Sequence, residues 1–529
     1  MKSYSTILEA LNHHAMEIPD MVVFTWVDIN CEEQNKMTFK ELEDKSNAVA
    51  ARLLKLGCKK GDRVMVAYPF GLEFLAGMFG AMKIGVIPCS VYPPNPNQLK
   101  TDMPKFHRFA EDAGAKFAIS TSMFAAGMTA ASILYKTGVK WIATDKLPIK
   151  KVNPSKPKDY EKFVGEPEDI CFIQYTSGST GCPKGVMVSH QNLEENCKAG
   201  MSVTGLDTSS SVALWVPQYH DMGLAGFMSC LYTSSHLVVA SPLDFIVKPL
   251  LWSDMVETYQ ATHTAAPNFA YALLLKRLEQ ANRTADWSCM KAAMFGAEPA
   301  QGHVVEAVAK TLSVKPEHVY NNYGLAESVV LLTGGPACPD AEGVVCCGAV
   351  DSPTLKIRIV DDGREAEEGQ VGSIWAQSPR VAAGYYGQPE LTTSTFANAL
   401  PGYDGIWLDT GDLGKVVDGQ LYVTGRVKDV IIVNGKNYYP TDMELSVDET
   451  FGDIIRPGRT SAFQHGEASV GITVEGRKGF EKSANEDLVI QIANHVSLVH
   501  GLFVCEVVVL KLGVTPKTTS GKLKRSEIR

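Results

Sequence analysis

Residues 170–185 read Ile-Cys-Phe-Ile-Gln-Tyr-Thr-Ser-Gly-Ser-Thr-Gly-Cys-Pro-Lys-Gly. The first five, Ile170–Gln174, are a largely apolar run of the length of a buried strand. The stretch that follows, Tyr175–Gly185, is a turn dense in Gly, Ser and Thr. Such a turn lets backbone amides and hydroxyls converge on phosphate oxygens, and Lys184 adds a mobile positive charge. It is not the nucleotide loop of kinases and P-loop ATPases. That loop has glycine as its first and sixth residues, then Lys, then Ser or Thr. Counting from Gly178, the sixth residue is Pro183, and Gly185 follows Lys184.

Upstream of this turn the chain alternates between helix and strand. Thr38 with Glu41 is a capping-box start, and Leu42, Val49, Leu53 and Leu56 follow at helical spacing until Gly57. Val64–Tyr68 reads as a buried strand, Leu72–Ile84 as a helix ending at Gly85, and Val86–Val91, Phe117–Ser120 and Trp141–Thr144 as further strands. Strands separated by helices of this length imply parallel pairing in an α/β layered fold. In such folds ligands bind beyond the carboxyl ends of strands, which is where the 175–185 turn falls. Lys146–Lys162, rich in Lys and Pro, reads as a solvated connection. Between Val344 and Gly425, short β-rich runs (Leu355–Val360, Gly372–Trp375, Gln420–Val423) alternate with Gly and Asp turns, as in a small barrel or antiparallel sheet. After Arg426 the pattern returns to mixed α+β. The expectation is a large N-terminal domain, residues 1–427, of layered α/β subdomains plus a small β-rich barrel-like subdomain. A small, mobile α+β C-terminal domain, residues 428–529, follows it.

Composition narrows the function. The 529 residues are 45% hydrophobic and 21% charged, ordinary for a globular protein of two or more domains. A net charge of −9 gives no global reason to coat nucleic acid. No apolar stretch reaches the roughly 18–20 residues of a membrane span. The N-terminal stretch carries Glu9, His13 and His14 where a secretory signal needs an unbroken apolar core. The reading is a soluble, cytoplasmic protein. Its twelve cysteines contain no CxxC pair, so they read as small buried hydrophobes rather than a zinc site or disulfide framework.

Tyr175–Gly185 resembles the phosphate loop of the adenylate-forming superfamily, which includes acyl-CoA synthetases, luciferases, nonribosomal adenylation domains and fatty acyl-AMP ligases. Further motifs follow in the order of that superfamily across the whole chain. Asn322-Tyr323-Gly324-Leu325-Ala326-Glu327 is similar to its adenine and magnesium motif, and Asp409-Thr410-Gly411-Asp412-Leu413 to its ribose motif. Gly425–Asp429 resembles the hinge, and Pro516–Lys522 the terminal lysine motif. Trp215–Leu224, Ala266–Tyr271, Gly296–Pro299 and Asn437–Asp442 look most like fatty acyl-AMP ligases. The resemblance implies activation of a fatty acid as acyl adenylate with ATP and Mg²⁺, and transfer to an acyl carrier protein.

It also implies roles for individual residues. Thr176, Ser177, Ser179, Thr180 and Lys184, with Gly178 and Gly181 in the same loop, would bind the β- and γ-phosphates. Glu327 would hold Mg²⁺, which prefers one or two carboxylates plus phosphate oxygens. Asn322, Tyr323 and Gly324 would meet adenine on one side, Tyr323 offering its ring, and Gly296, Ala297 and Glu298 would approach it on the other. Asp412 would accept from the ribose hydroxyls with Arg426 assisting. His220 would line the acyl-carboxylate pocket. The alternative, a His220–Asp221 general base, is disfavoured because adjacent side chains on a regular element point apart. Lys522 would neutralise charge on the attacking carboxylate and the α-phosphate, and Lys428 falls at the hinge.

Two features depart from the subgroup. The stretch Gly334–Gly348 is short where fatty acyl-AMP ligases carry an insert that disfavours CoA, so an acyl-CoA synthetase is the alternative. The chain also stops seven residues after Lys522, earlier than relatives do, and includes no carrier domain; the expectation is a C-terminal domain cut short, or one piece of a larger synthase. A non-catalytic binding module is disfavoured, because Lys184, Glu327, Asp412 and Lys522 are all present.

Overall fold

A computed structural model describes residues 3–148, 165–176, 183–340, 343–433, 436–466, 469–477, 485–517 and 523–528. Most of the Lys146–Lys162 connection and residues 177–182 of the phosphate turn therefore lie outside the described residues. The chain divides into two compact units. The first comprises Met1–Arg358, Trp375–Thr410 and Asp418–Leu421; the second comprises Ile359–Ile374, Gly411–Val417 and Tyr422–Arg529.

The first unit holds two large sheets. One runs in the order Lys140–Ala143, Phe117–Ser120, Arg63–Val66, Ile87–Ser90, Ile170–Thr176, Lys184–Ser189. Its neighbours pair parallel, as the helix–strand alternation predicts, until the last two strands, which are antiparallel. The other sheet has eight strands, six parallel ones at its centre and an antiparallel strand at each edge. The helix expected after Thr38 is Phe39–Lys55, with the Thr38 hydroxyl accepting from Glu41 N–H and the Glu41 carboxylate accepting from Thr38 N–H. Glu73–Met82 is a helix buried on every side from Phe74 onward, so its apolar pattern has no solvent face. It shares one apolar cluster with both sheets, Val64 and Val66 on one and Phe24 and Val238 on the other. Lys83, just past its end and 2% exposed, pairs with Glu43 at 2.5 Å and donates to Asn47 Oδ1.

The β-rich stretch is present as a six-stranded sheet that includes Leu355–Asp361, Gly372–Gln377, Leu408–Val417 and Gln420–Arg426. In the second unit, Ser461–His465, Ser469–Glu475 and Val504–Leu510 form a three-stranded sheet, its second pair parallel. A parallel pair needs a crossover, and the helix Asn485–His500 supplies it. Val447, Ile455, Ile472, Val474, Ile492 and Val496 are fully buried in its core. No helix among the described residues is long and apolar enough to cross a membrane.

Candidate active site

The phosphate turn connects two antiparallel strands, with Thr176 opposite Lys184 and Tyr175 opposite Gly185. A turn leading into a strand differs from the P-loop, which opens a helix, and agrees with the exclusion of that loop on spacing. Ser177, Gly178, Ser179, Thr180 and Gly181 lie outside the described residues; the strand pairing sets Thr176 and Lys184 at the two ends of the turn they belong to.

A second segment, Ala382–Gln388, lies along the strand that begins at Lys184. Ala383 N–H donates to Met187 O, Met187 N–H to Gly384 O and Tyr386 N–H to Gly185 O. The Gln388 side-chain amide donates to Pro183 O at 2.9 Å. At its other end Ala382 N–H donates to Glu327 O at 2.8 Å. These bonds bring Tyr385 between two expected site residues. Its hydroxyl donates to Glu327 Oε1 at 2.7 Å, and Lys184 Nζ lies 5.1 Å from its ring centroid. Burial raises the Tyr385 pKa, and the Glu327 carboxylate adds to the rise, so the phenol stays protonated and donates. Lys184 and Glu327 are candidates from the sequence; Tyr385 is not among them, and backbone pairing with the strand from Lys184 brings it to both.

Glu327 sits in the short 3₁₀ turn Ala326–Ser328 after the strand Val319–Tyr323. Asn196 ties that turn down by donating to Ser328 O and Leu331 O, both at 3.0 Å. Gly324 is required sterically, since a Cβ there would lie 1.7 Å from Val330 O. Asn322 Oδ1 is buried without a hydrogen-bond partner among the described residues, and Tyr323 is 7% exposed. A Cβ on Gly296 would meet Met222 Cε at 3.1 Å and Asn322 O at 3.9 Å, so the Gly296 and Asn322 motifs are adjacent. Ala297 has φ of 68°, in the left-handed region. Glu298 also serves the fold: its carboxylate accepts from Phe269 N–H at 2.6 Å, in the first turn of the helix Asn268–Gln280.

His220 is the N-cap of the helix Asp221–Thr233, and its Nδ1 accepts from Met222 N–H. Nδ1 also lies 2.6 Å from Asp221 Oδ1. The two neighbours were expected to point apart; they meet because His220 precedes the helix, in extended backbone, instead of sharing a regular element with Asp221. The same motif supplies aromatic groups to the core. Trp215 stacks on Phe245 at 3.7 Å and meets Phe269 edge-on, and Tyr219 packs against Phe70 and Tyr92.

In the second unit Asp412, 5% exposed, pairs with Arg426 Nε at 2.9 Å. Lys522 lies outside the described residues. On either side of it, Lys517 bridges to Leu523 and Lys524 N–H donates to Pro516 O. Arg525 then donates to Glu444 Oε1 at 2.7 Å, Glu444 Oε2 at 2.5 Å and Asp429 Oδ2 at 3.2 Å.

No group of three or more metal-ligating side chains occurs among the described residues. Glu327 therefore belongs to no such group among the described residues, which suits Mg²⁺ shared with phosphate oxygens and water but not a cation caged by protein alone.

Residues 11–386 match the AMP-binding enzyme family. This chain belongs to that family. Residues 428–529 of this AMP-binding enzyme match a second description, the AMP domain of Disco-interacting protein 2-like proteins. The medium-chain-fatty-acid–[acyl-carrier-protein] ligase JamA of Moorena producens (strain JHB) is 32% identical, over 99% of this chain and 95% of its own. The ligase of the same description, TtuA, from Teredinibacter turnerae is 28% identical over 99% and 93%. A solved structure from studies of fatty acyl-adenylate ligases from E. coli and L. pneumophila superposes with a TM-score of 0.88 at 26% identity, covering 99% and 97% of the two chains. The AMP-binding enzyme described here is an adenylate-forming ligase of the fatty acyl-AMP ligase type.

Proposed function

We propose that this AMP-binding enzyme joins a fatty acid to AMP, releases pyrophosphate, and passes the acyl group to an acyl carrier protein. The observation that carries the reading is the meeting of Lys184 and Glu327 on Tyr385 at the exit of the phosphate turn. End-to-end similarity to ligases named for fatty acids and acyl carrier proteins supports the choice of substrate and acceptor.

In the reaction, a carboxylate oxygen bonds to the α-phosphorus of ATP and the bond to the pyrophosphate oxygen breaks. Two anions must be aligned, so the protein's work is positioning and charge neutralisation. Thr176, Ser177, Ser179, Thr180 and Lys184 would hold the β- and γ-phosphates, with Gly178 and Gly181 letting the turn close around them. Mg²⁺, held by Glu327 and phosphate oxygens, would neutralise charge on the triphosphate. Gly296, Ala297, Glu298, Asn322, Tyr323 and Gly324 would frame adenine. Asp412 would take the ribose hydroxyls, with Arg426 fixing its carboxylate. His220, at a helix N-terminus, would meet the fatty carboxylate. Lys522 would stabilise the charge that develops between carboxylate and α-phosphate, and Lys428 would be the pivot on which its domain turns. The need for ATP and a carrier protein suits a cytoplasmic enzyme.

Hydroxylamine trapping with fatty acids of graded length tests the reading. Hydroxamate is expected with medium or long chains, and Lys522→Ala should lower it by on the order of a hundredfold or more, the loss of one transition-state donor. Activity confined to acetate, amino acids or aryl acids would overturn the substrate, and unchanged trapping in Lys522→Ala would remove that residue's role. CoA is the second acceptor, favoured only by the short stretch Gly334–Gly348. Adding holo-carrier protein or CoA to the preformed adenylate separates the two by which thioester appears.

A further inference from the structure

Lys184 and Glu327 share Tyr385, yet among the described residues no ion pair joins them. A lysine and a carboxylate in one half-buried site attract strongly, because the local dielectric is lower than that of water. Were they to close on each other, each would cancel the charge that a phosphate or a divalent cation needs. An aromatic ring prevents this in a specific way. Its face holds an ammonium through the ring quadrupole without neutralising it. Its hydroxyl, 2.7 Å from Glu327 Oε1, donates to the carboxylate without taking its charge.

The ring is itself held firmly. Tyr385 is 4% exposed and packs edge-on against Phe396 at 5.2 Å. Its N–H donates to Thr392 Oγ1, and its backbone bridges to Val186 on the strand that starts at Lys184. The strand and the Glu327 turn are thus both hydrogen-bonded to one rigid segment, 382–388.

We propose that Tyr385 is a positioning residue that keeps Lys184 and Glu327 apart and charged, so that one triphosphate and its divalent cation can bridge them. The inference rests on the reading above, in which Lys184 takes phosphate and Glu327 takes the cation. Two separable effects follow. The hydroxyl governs the cation's side and the ring governs the lysine's side.

The test is calorimetric binding of ATP to the full chain without fatty acid, across a Mg²⁺ titration, for wild type, Y385F, Y385L, E327Q and the double variant Y385L/E327Q. Y385F is expected to weaken the Mg²⁺-dependent part of ATP binding about tenfold, the loss of one hydrogen bond to a charged group, and to leave Mg²⁺-free binding unchanged. Y385L is expected to weaken Mg²⁺-free binding as well, because Lys184 then closes on Glu327. Y385L/E327Q is expected to regain that Mg²⁺-free affinity, a rescue that a purely structural tyrosine would not produce. Wild-type Mg²⁺ dependence in Y385F, or a double variant that binds Mg²⁺-free ATP no better than Y385L, overturns the proposal. Should the Y385L variants fail to fold, Y385F decides, since it keeps the ring and its packing. If wild type shows no Mg²⁺-dependent binding, or E327Q retains all of it, the assignment of Glu327 to the cation falls first, a result distinguishable from failure of Tyr385 alone.

Discussion

Around Tyr385 a lysine and a glutamate share one aromatic ring without pairing; near the end of the chain Arg525 is clasped by two carboxylates. Arg525 spans both oxygens of Glu444 and reaches Asp429, and the three side chains are 22%, 9% and 24% exposed. The contrast follows from what each group must do. Charges meant for a ligand are worth most when left open, and charges meant for the fold are worth most when they satisfy each other. A buried carboxylate whose partner is removed bears the whole cost of desolvation. Glu444 also accepts from Ala462 N–H at 3.0 Å, so the clasp ties the segment after Lys522 to the edge of the three-stranded sheet. Asp412 and Arg426 stand between these extremes, since the carboxylate is buried and the guanidinium is half-exposed.

Breaking the clasp should have the largest effect on stability. Arg525→Met leaves Glu444 buried and unpaired, and a loss of about 3–5 kcal/mol is expected in urea unfolding of the second unit. Y385F, which removes one hydrogen bond to a charged group in the other region, should cost about 1.5–3 kcal/mol in urea unfolding of the first unit. Equal losses in the two variants would erase the contrast.

Acid should sharpen it. Burial alone would raise the pKa of Glu475, but bonds from Gly513, Thr515 and Arg456 hold it at about 2. A carboxylate held below its unfolded value stabilises the fold above about pH 4.5, and that contribution, of order 3 kcal/mol, is lost as pH falls toward 2. Asp448 runs the other way. Burial raises its pKa to about 6, so its contribution is complete in acid and lost as pH rises through 6. In Glu475→Gln the first contribution is gone. The variant should be weaker than wild type at pH 7, and the gap between them should narrow as pH falls from about 4.5 toward 2, read from the urea midpoint at each pH. A Glu475→Gln curve parallel to that of wild type below pH 5 would sink the assignment.

The smallest effect is expected at Arg426. The guanidinium is half-exposed and screened by solvent, but its removal leaves a buried carboxylate behind, so Arg426→Met should cost about 1–3 kcal/mol, less than Arg525→Met, while raising the KM for ATP. A larger loss of stability would make the pair a structural clasp like that of Arg525.

Much of the fold could be read locally. Thr38 and Glu41 announced their helix, and the strands from Val64 to Thr144 were placed within a few residues, because capping and period-two or helical spacing act over short distances. Lys184, Glu327, Asp412 and Arg426 were legible as candidates from the company they keep in sequence. The helix-capping task of Glu298 was not, since its partner Phe269 lies 29 residues earlier. Nor was the contact of His220 with Asp221, which depends on where the following helix begins.

Sequence by itself determined the layered α/β class, the turn that ends its fifth parallel strand in chain order, and the residue types available there for phosphate and cation. Tertiary structure alone decided which of them meet. Tyr385 reaches Glu327 across 58 residues, and Arg525 reaches Glu444 across 81. Whether charges at such separations are held apart or clasped together depends on strand order and packing. Those are properties of the whole folded chain, and no local pattern of residues encodes them.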